Sequence, residues 1–291
     1  MKIKQIITRR SLKRLSYWDV VFEWEDELAK VLECDFYRQY PLAEKQIFEK
    51  FILRFPRLYF LFQTTKPSFV FEMSDCRQSC INNFQNIIPC IIDSYPNRFP
   101  INIFRQQYWR NKVVLFTSRQ VYDYYSMQPL NFKVFHFPVS ISSKYAISPS
   151  THFEKKYDAA LVGRPNPILQ RYLYTYSESH PDFIYIYHNG LEKNHTFHYQ
   201  TSRGEYIGEL ESRDKYMEIL RQTRVCLYST SGMDGDKSLD DNRIVDTAQY
   251  HQVTPRFLEM LACGCHIIAR YSCTNDCYFF HCIDCNNIER S

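Results

Sequence analysis

Glycine is scarce in this chain, with 7 residues in 291. There is accordingly no G-x-G-x-x-G turn and no Walker loop, so a bound phosphate would have to be cradled by some other device. No run of 18 or more apolar residues exists, which excludes a membrane-spanning helix. Acidic residues are missing from the start of the chain, where Asp19 is the first. The basic segment from Met1 to Arg14 nevertheless lacks the apolar stretch and small-residue cleavage site of a signal peptide. It reads as a solvated tail, with contact to anionic lipid head groups as the alternative. A strong charge of one sign is lacking too. The net charge of +4 favours anionic ligands but falls short of the basic stripe of a nucleic-acid binder. Internal repeats and low-complexity tracts are absent.

What is present is globular. Hydrophobic residues make up 45% and aromatic residues 16% of a chain long enough for two domains. Eleven cysteines in such a length are no disulfide scaffold, and the odd count argues against complete pairing. Cys34, Cys90, Cys226 and Cys263 stand in apolar contexts and read as small core residues. Cys273, Cys277, Cys282 and Cys285 crowd near His266 and His281, but only one C-x2-C pair is found where zinc sites commonly use two. No metal site is therefore expected.

Helical spacing marks 24–32, 43–53 and 119–125, and strand patterns mark 58–62, 68–71, 87–92, 112–116 and 132–135. Near-continuous apolar strands separated by helices predict a parallel sheet covered on both faces. The polar stretch 140–154 reads as a linker. It divides the chain into an N-terminal domain, 1–148, and a C-terminal domain, 149–291. The second half then reads as strand 157–162, helix 168–179, strand 183–187, a long loop, helix 214–222, strand 225–228, a second long loop, a short helix and a last strand. That order predicts a second Rossmann-like half, whose ligands bind beyond the carboxyl ends of the strands.

The most informative run is Val253 to Ala269. Thr254 suits an N-cap and Pro255 the first helical position, while Gly264 stands where a left-handed residue stops the helix. Such a helix start is a phosphate site, and Arg256 in its first turn adds a charge suited to bidentate phosphate contact. Glu259, one turn deeper on the same face, suits ribose hydroxyls.

This segment resembles the donor-binding helix of glycosyltransferases with the two-Rossmann-domain (GT-B) fold, closest to the bacterial "glycosyl transferases group 1" proteins. Their [ST]-x-R-x-x-E-x-x-A-x-G pattern is present as Thr254, Arg256, Glu259, Ala262 and Gly264. The resemblance implies that Glu259 holds the ribose of a sugar nucleotide and that the helix start faces its diphosphate. Asp158 to Arg164 is similar to the first strand of that domain, which assigns Gly163 and Arg164 to the diphosphate. Ile88 to Asp93 and Phe116 to Ser118 loosely resemble strands of the acceptor domain. His251 stands eight residues before Glu259, where retaining members often carry a second acid. The chain also ends at Ser291, where GT-B enzymes usually continue with a closing helix, so a truncated or abbreviated C-terminus is expected.

These observations converge on one expectation. The chain is an α/β protein of two Rossmann-like domains that moves a sugar from a nucleotide-diphosphate donor to a hydroxyl of a glycan or lipid-linked acceptor, as in the synthesis of bacterial surface polysaccharide or glycoconjugate. Thr254, Arg256 and Arg164 would stabilise the leaving diphosphate without a metal or other cofactor. Asp93 is the candidate base if the reaction inverts. Nucleic acid is not an expected partner, and the expected place is the cytoplasm or the inner face of the membrane. The alternatives are a GT-B-like sugar-nucleotide epimerase and a non-catalytic relic. Asp234-Gly235-Asp236 matches the Asp-x-Asp of metal-dependent transferases of the other large fold (GT-A), but reads as turn chemistry.

Overall fold

The computed structural model describes residues 2–8, 10, 18–38, 66–73, 85–96, 100–148, 150–163, 166–191, 197–209, 212–230, 232–235, 250–271 and 286–287. The chain divides into two compact units, Met1–Val139 and Ser140–Ser291. The stretch beginning at Ser140 is not a free linker. Ser143–Tyr145 is a short 3-10 turn, and Tyr145 is buried in the core of the second unit. An aromatic ring that finds a core is worth more there than as part of a solvated connection.

The first unit runs β1 (Gln5–Thr8), α1 (Asp19–Leu32), β2 (Asp35–Arg38), β3 (Ser68–Met73), β4 (Ile87–Ile92), α2 (Ile101–Tyr108), β5 (Val113–Phe116), α3 (Arg119–Ser126) and β6 (Lys133–His136). Its sheet has the order β2-β1-β3-β4-β5-β6, and every pair is parallel. The chain reverses its winding between β1 and β3, as in doubly wound sheets. Val21 and Trp24 of α1 pack on Ile6, Phe69 and Phe71. Phe104 of α2 and Tyr125 of α3 stack with Phe116 on the opposite side.

The N-terminal segment overturns the tail expected there. Gln5–Thr8 is a buried strand inside the sheet. Arg10 pairs with Glu25 and Asp26 and lies over the Phe22 and Phe36 rings. The four residues of β1 are too few to show a period against the basic background, and only pairing with β2 and β3 identifies them. The predicted elements 43–53 and 58–62 lie outside the described residues.

The second unit runs β7 (Tyr157–Ala160), α4 (Pro167–Ser179), β8 (Tyr185–Leu191), β9 (Phe197–Thr201), β10 (Tyr206–Glu209), α5 (Arg213–Arg221), β11 (Thr223–Ser229), α6 (Pro255–Ala262), β12 (His266–Arg270) and β13 (Asn286–Asn287). The sheet order is β10-β9-β8-β7-β11-β12-β13. From β8 to β13 all pairs are parallel, whereas β9 lies antiparallel between β8 and β10. The first long loop thus contains two short strands, which close one edge of the sheet and bury Tyr199.

Helices cover both faces. Leu169 and Leu173 of α4 pack with Ala159, Leu161 and Leu227, while α5 and α6 bring Met217, Leu220, Phe257 and Met260 against Cys226 and Ile267. Winding reverses between β7 and β11, so the crevice of this sheet opens beyond the carboxyl ends of those two strands. The molecule is α/β with two parallel-rich sheets. Among the described residues no helix is long and apolar enough to cross a membrane.

Candidate functional site

α6 ends as its sequence predicts. Gly264 takes φ 64°, its N–H donates to Leu261 O at 2.9 Å, and the Cys265 N–H donates to Met260 O at 3.1 Å. These two bonds close a Schellman stop. Its start is built differently from the expectation. Thr254 stands at the N-cap position, but its hydroxyl makes no capping bond. The Thr254 N–H donates instead to the Tyr228 hydroxyl at 2.9 Å. Tyr228 is a buried residue of β11, so the helix start is pinned directly to the strand at the crevice.

Arg256 crosses that crevice. Its Nη1 donates to Val162 O at 2.6 Å, just past β7, and its Nη2 reaches Ser229 O, the last residue of β11, at 3.5 Å. The guanidinium lies 5.5 Å from the Tyr228 ring centre. No carboxylate pairs with it among the described residues. Gly163 makes room for this arrangement: a Cβ there would lie 2.1 Å from Nη1, and its φ of +76° is one that L side chains rarely adopt.

The Gly163 turn is gripped from β8 and β9. His188 Nε2 meets Gly163 O at 2.5 Å, and Tyr199 bonds to the same backbone. Burial holds the His188 imidazole below its ordinary range, and the nearby Arg256 charge adds to that; the Gly163 bond opposes it. Burial pushes the Tyr199 phenol up to about 12. Beside Ser229, Thr230 is fully buried, and its hydroxyl lacks a hydrogen-bond partner among the described residues.

Glu259 takes a different partner from Arg256. It is buried, and its Oε1 lies 2.8 Å from Arg213 Nη2 at the start of α5. Helical spacing put both residues on one face, but the long Arg256 side chain turns to the strand ends while Glu259 turns to α5. Arg164 lies outside the described residues. Asp93 follows β4 in the first unit with φ 52°, half-buried, at a strand end as expected.

The Asp-x-Asp reading meets an occupied Asp234. Its carboxylate pairs with Arg270 through Nε and Nη2, the latter at 2.8 Å, and accepts from Asn166 Nδ2 at 2.8 Å. These partners, Arg270 foremost, hold it below the usual carboxylate range, and His251 lies close enough to contribute. Asn166 caps α4 through Oδ1 and ties that helix to the Asp234 turn. Asp236, Cys273, Cys277, Cys282, Cys285 and His281 lie outside the described residues. Among the described residues no group of three or more His, Cys, Asp or Glu is arranged to hold a metal ion. Cys90, Cys226 and Cys263 are buried and Cys34 half-buried, all free thiols.

Sequence reasoning missed Arg213, His188, Tyr199 and Thr230. None stands in a motif, and each meets the site only through the sheet order. Comparison with protein-family models, with curated proteins and with solved structures gave no match.

Proposed function

We propose that the chain is a glycosyltransferase of the GT-B type, transferring a sugar from a nucleotide-diphosphate donor to a hydroxyl of a glycan or lipid-linked acceptor. The observation that supports this most is the cation at the winding reversal of the second unit. Arg256 is held by two carbonyls and an aromatic ring, with no carboxylate paired to it among the described residues. A positive charge kept unneutralised at a crevice beside a helix start suits a diphosphate. The buried Thr230 hydroxyl is a further donor without a partner there.

In this reading the diphosphate displaces the weaker of the Arg256 contacts, that to Ser229 O, and takes the guanidinium as its counter-charge. Charge developing on the leaving diphosphate is stabilised by Arg256 and the α6 start, with Arg164 as a second cation. The ribose lies at Glu259, whose Oε1 remains with Arg213 and whose Oε2 accepts from a hydroxyl. Asp234 takes no part, because its carboxylate is engaged by Arg270 and Asn166. If the reaction inverts, Asp93 of the first unit is the candidate base.

A thermal-shift panel of sugar nucleotides, nucleoside diphosphates and bare nucleosides tests the reading. A donor at about 100 times its dissociation constant adds about 2.7 kcal/mol to stability, a shift of several degrees. The diphosphates should shift the wild type more than nucleosides do, and Arg256→Ala should lose the difference. A panel with no shift, or one unaffected by Arg256→Ala, overturns it.

A further inference from the structure

A second surface, on the first unit, has a chemistry that the donor site does not use. The end of the sheet where β5 and β6 begin gathers the carboxyl ends of α2 and α3. Trp109 follows α2 and is 52% exposed, and Met127 follows α3 and is 77% exposed. The two are brought to one end by a short set of bonds. Asn131 Nδ2 donates to Trp109 O at 3.0 Å, and the Lys133 N–H donates to Lys112 O at 3.0 Å. Gln128 N and Leu130 N form the turn that leads from Met127 to Asn131.

Cations stand beside Trp109 and at the neighbouring strand starts. The Arg110 guanidinium lies 4.7 Å from the Trp109 ring centre, and Lys112 and Lys133 are exposed on adjacent strand starts. Edge strand β6 carries Phe135, 49% exposed, two residues beyond Lys133. Acid is nearly missing from this part of the chain. Between Asp93 and Glu154 the sequence has a single carboxylate, Asp123, and it is paired with Arg119 at 2.8 Å.

The geometry points to an anionic membrane surface as the partner of this end of the sheet, with Trp109 and Met127 entering the interface and Arg110, Lys112 and Lys133 meeting lipid phosphates. An indole beside a guanidinium is suited to the boundary between acyl chains and head groups, and long cationic side chains reach outward from it. A nucleic acid would be met by the same charges, but a thioether exposed as fully as Met127 has no hydrogen-bonding or stacking role toward bases, whereas it suits acyl chains. The basic segment at the N-terminus does not serve here through β1, which is buried in the sheet.

The test is flotation of the full chain with vesicles of phosphatidylcholine alone and of phosphatidylcholine with phosphatidylglycerol. Binding is expected to the anionic vesicles only, to weaken in high salt, and to bring a blue shift in tryptophan fluorescence. Replacing the three cations together (Arg110→Gln, Lys112→Gln, Lys133→Gln) should lower the partition coefficient on the order of 100-fold. Trp109→Ala should abolish the blue shift and weaken binding. Unchanged melting temperatures and unchanged sugar-nucleotide shifts in these variants show that fold and donor site are intact. Wild-type chain left unbound by anionic vesicles overturns the proposal, as does binding unchanged in the triple variant. Binding to a single-stranded RNA oligomer in place of vesicles also overturns it and transfers the surface to nucleic acid.

Discussion

Gly163 lacks a side chain where Arg256 needs the space: a Cβ built on Gly163 would stand 2.1 Å from Arg256 Nη1. The two residues are far apart in sequence and belong to different crossovers. They meet because β7 and β11 are neighbours in the sheet and α6 begins above the gap between their ends.

Gly163→Ala should therefore do two things. It should destabilise the fold by about 1–2 kcal/mol, from the left-handed backbone and the displaced guanidinium. It should also remove the stabilisation by nucleotide diphosphates, since Arg256 can no longer lie between Val162 and Ser229. Urea melts with and without ligand measure both. A full ligand-induced shift in the variant contradicts the second expectation.

The buried Arg213–Glu259 pair predicts strong coupling. Arg213→Met removes the ion-pair partner of the buried Glu259 carboxylate and should cost roughly 3–5 kcal/mol, whereas Glu259→Leu leaves a half-buried Arg213 that still lies over the Tyr145 ring and should cost less. The double replacement should cost less than the sum by about 1–3 kcal/mol. Chemical denaturation of the four proteins gives the coupling, and additivity would show that the pair does not form. For ligand binding, Glu259→Gln is the gentler probe. By calorimetry it should weaken nucleotide-diphosphate binding by about 1.5 kcal/mol or more if the carboxylate holds the ribose. Unchanged affinity removes Glu259 from the donor site.

Glu25 sets a pH dependence in the first unit. It is buried beneath β1, where it accepts from Thr8 Oγ1 at 2.6 Å and from Arg10 Nε at 3.3 Å. Burial pushes its carboxyl up to about 7 from 4.5, despite those bonds. Between these values the folded chain binds the proton more tightly than the unfolded one. Its contribution to stability is complete below about 4.5 and is lost as pH rises through about 7. The loss is limited to about 3 kcal/mol. Comparing wild type with Glu25→Gln across pH 4 to 9 should show the difference between them changing in that window and flat above it. A difference independent of pH would mean that folding leaves the proton affinity of Glu25 unchanged.

Asp234 predicts indifference to chelation. Its carboxylate is committed to Arg270 and Asn166, so excess EDTA should leave donor binding and transfer intact. Asp234→Asn should instead lower stability by about 1–3 kcal/mol, the usual cost of weakening a charged hydrogen-bond network. Transfer abolished by EDTA and restored by Mn²⁺ would return the Asp-x-Asp segment to the centre of the chemistry.

Local patterns sufficed for much of the architecture. Helix α6 with its proline start and Gly264 stop, helix α4, and strands β3, β4, β11 and β12 were legible because each carries a period or a terminal residue that acts over a few positions. Arg256 was legible as a cation at a helix start for the same reason. Strand β1 and the β9–β10 pair were not, because short strands in polar or aromatic contexts gain their stability from partners distant in sequence. What only the tertiary structure decided is where the long side chains point. One helical face carries Arg256 and Glu259, yet Arg256 reaches carbonyls at two strand ends while Glu259 reaches Arg213 on another helix. Spacing along a helix determines which residues start from a common face, but the charges and openings supplied by neighbouring elements determine where each one finishes.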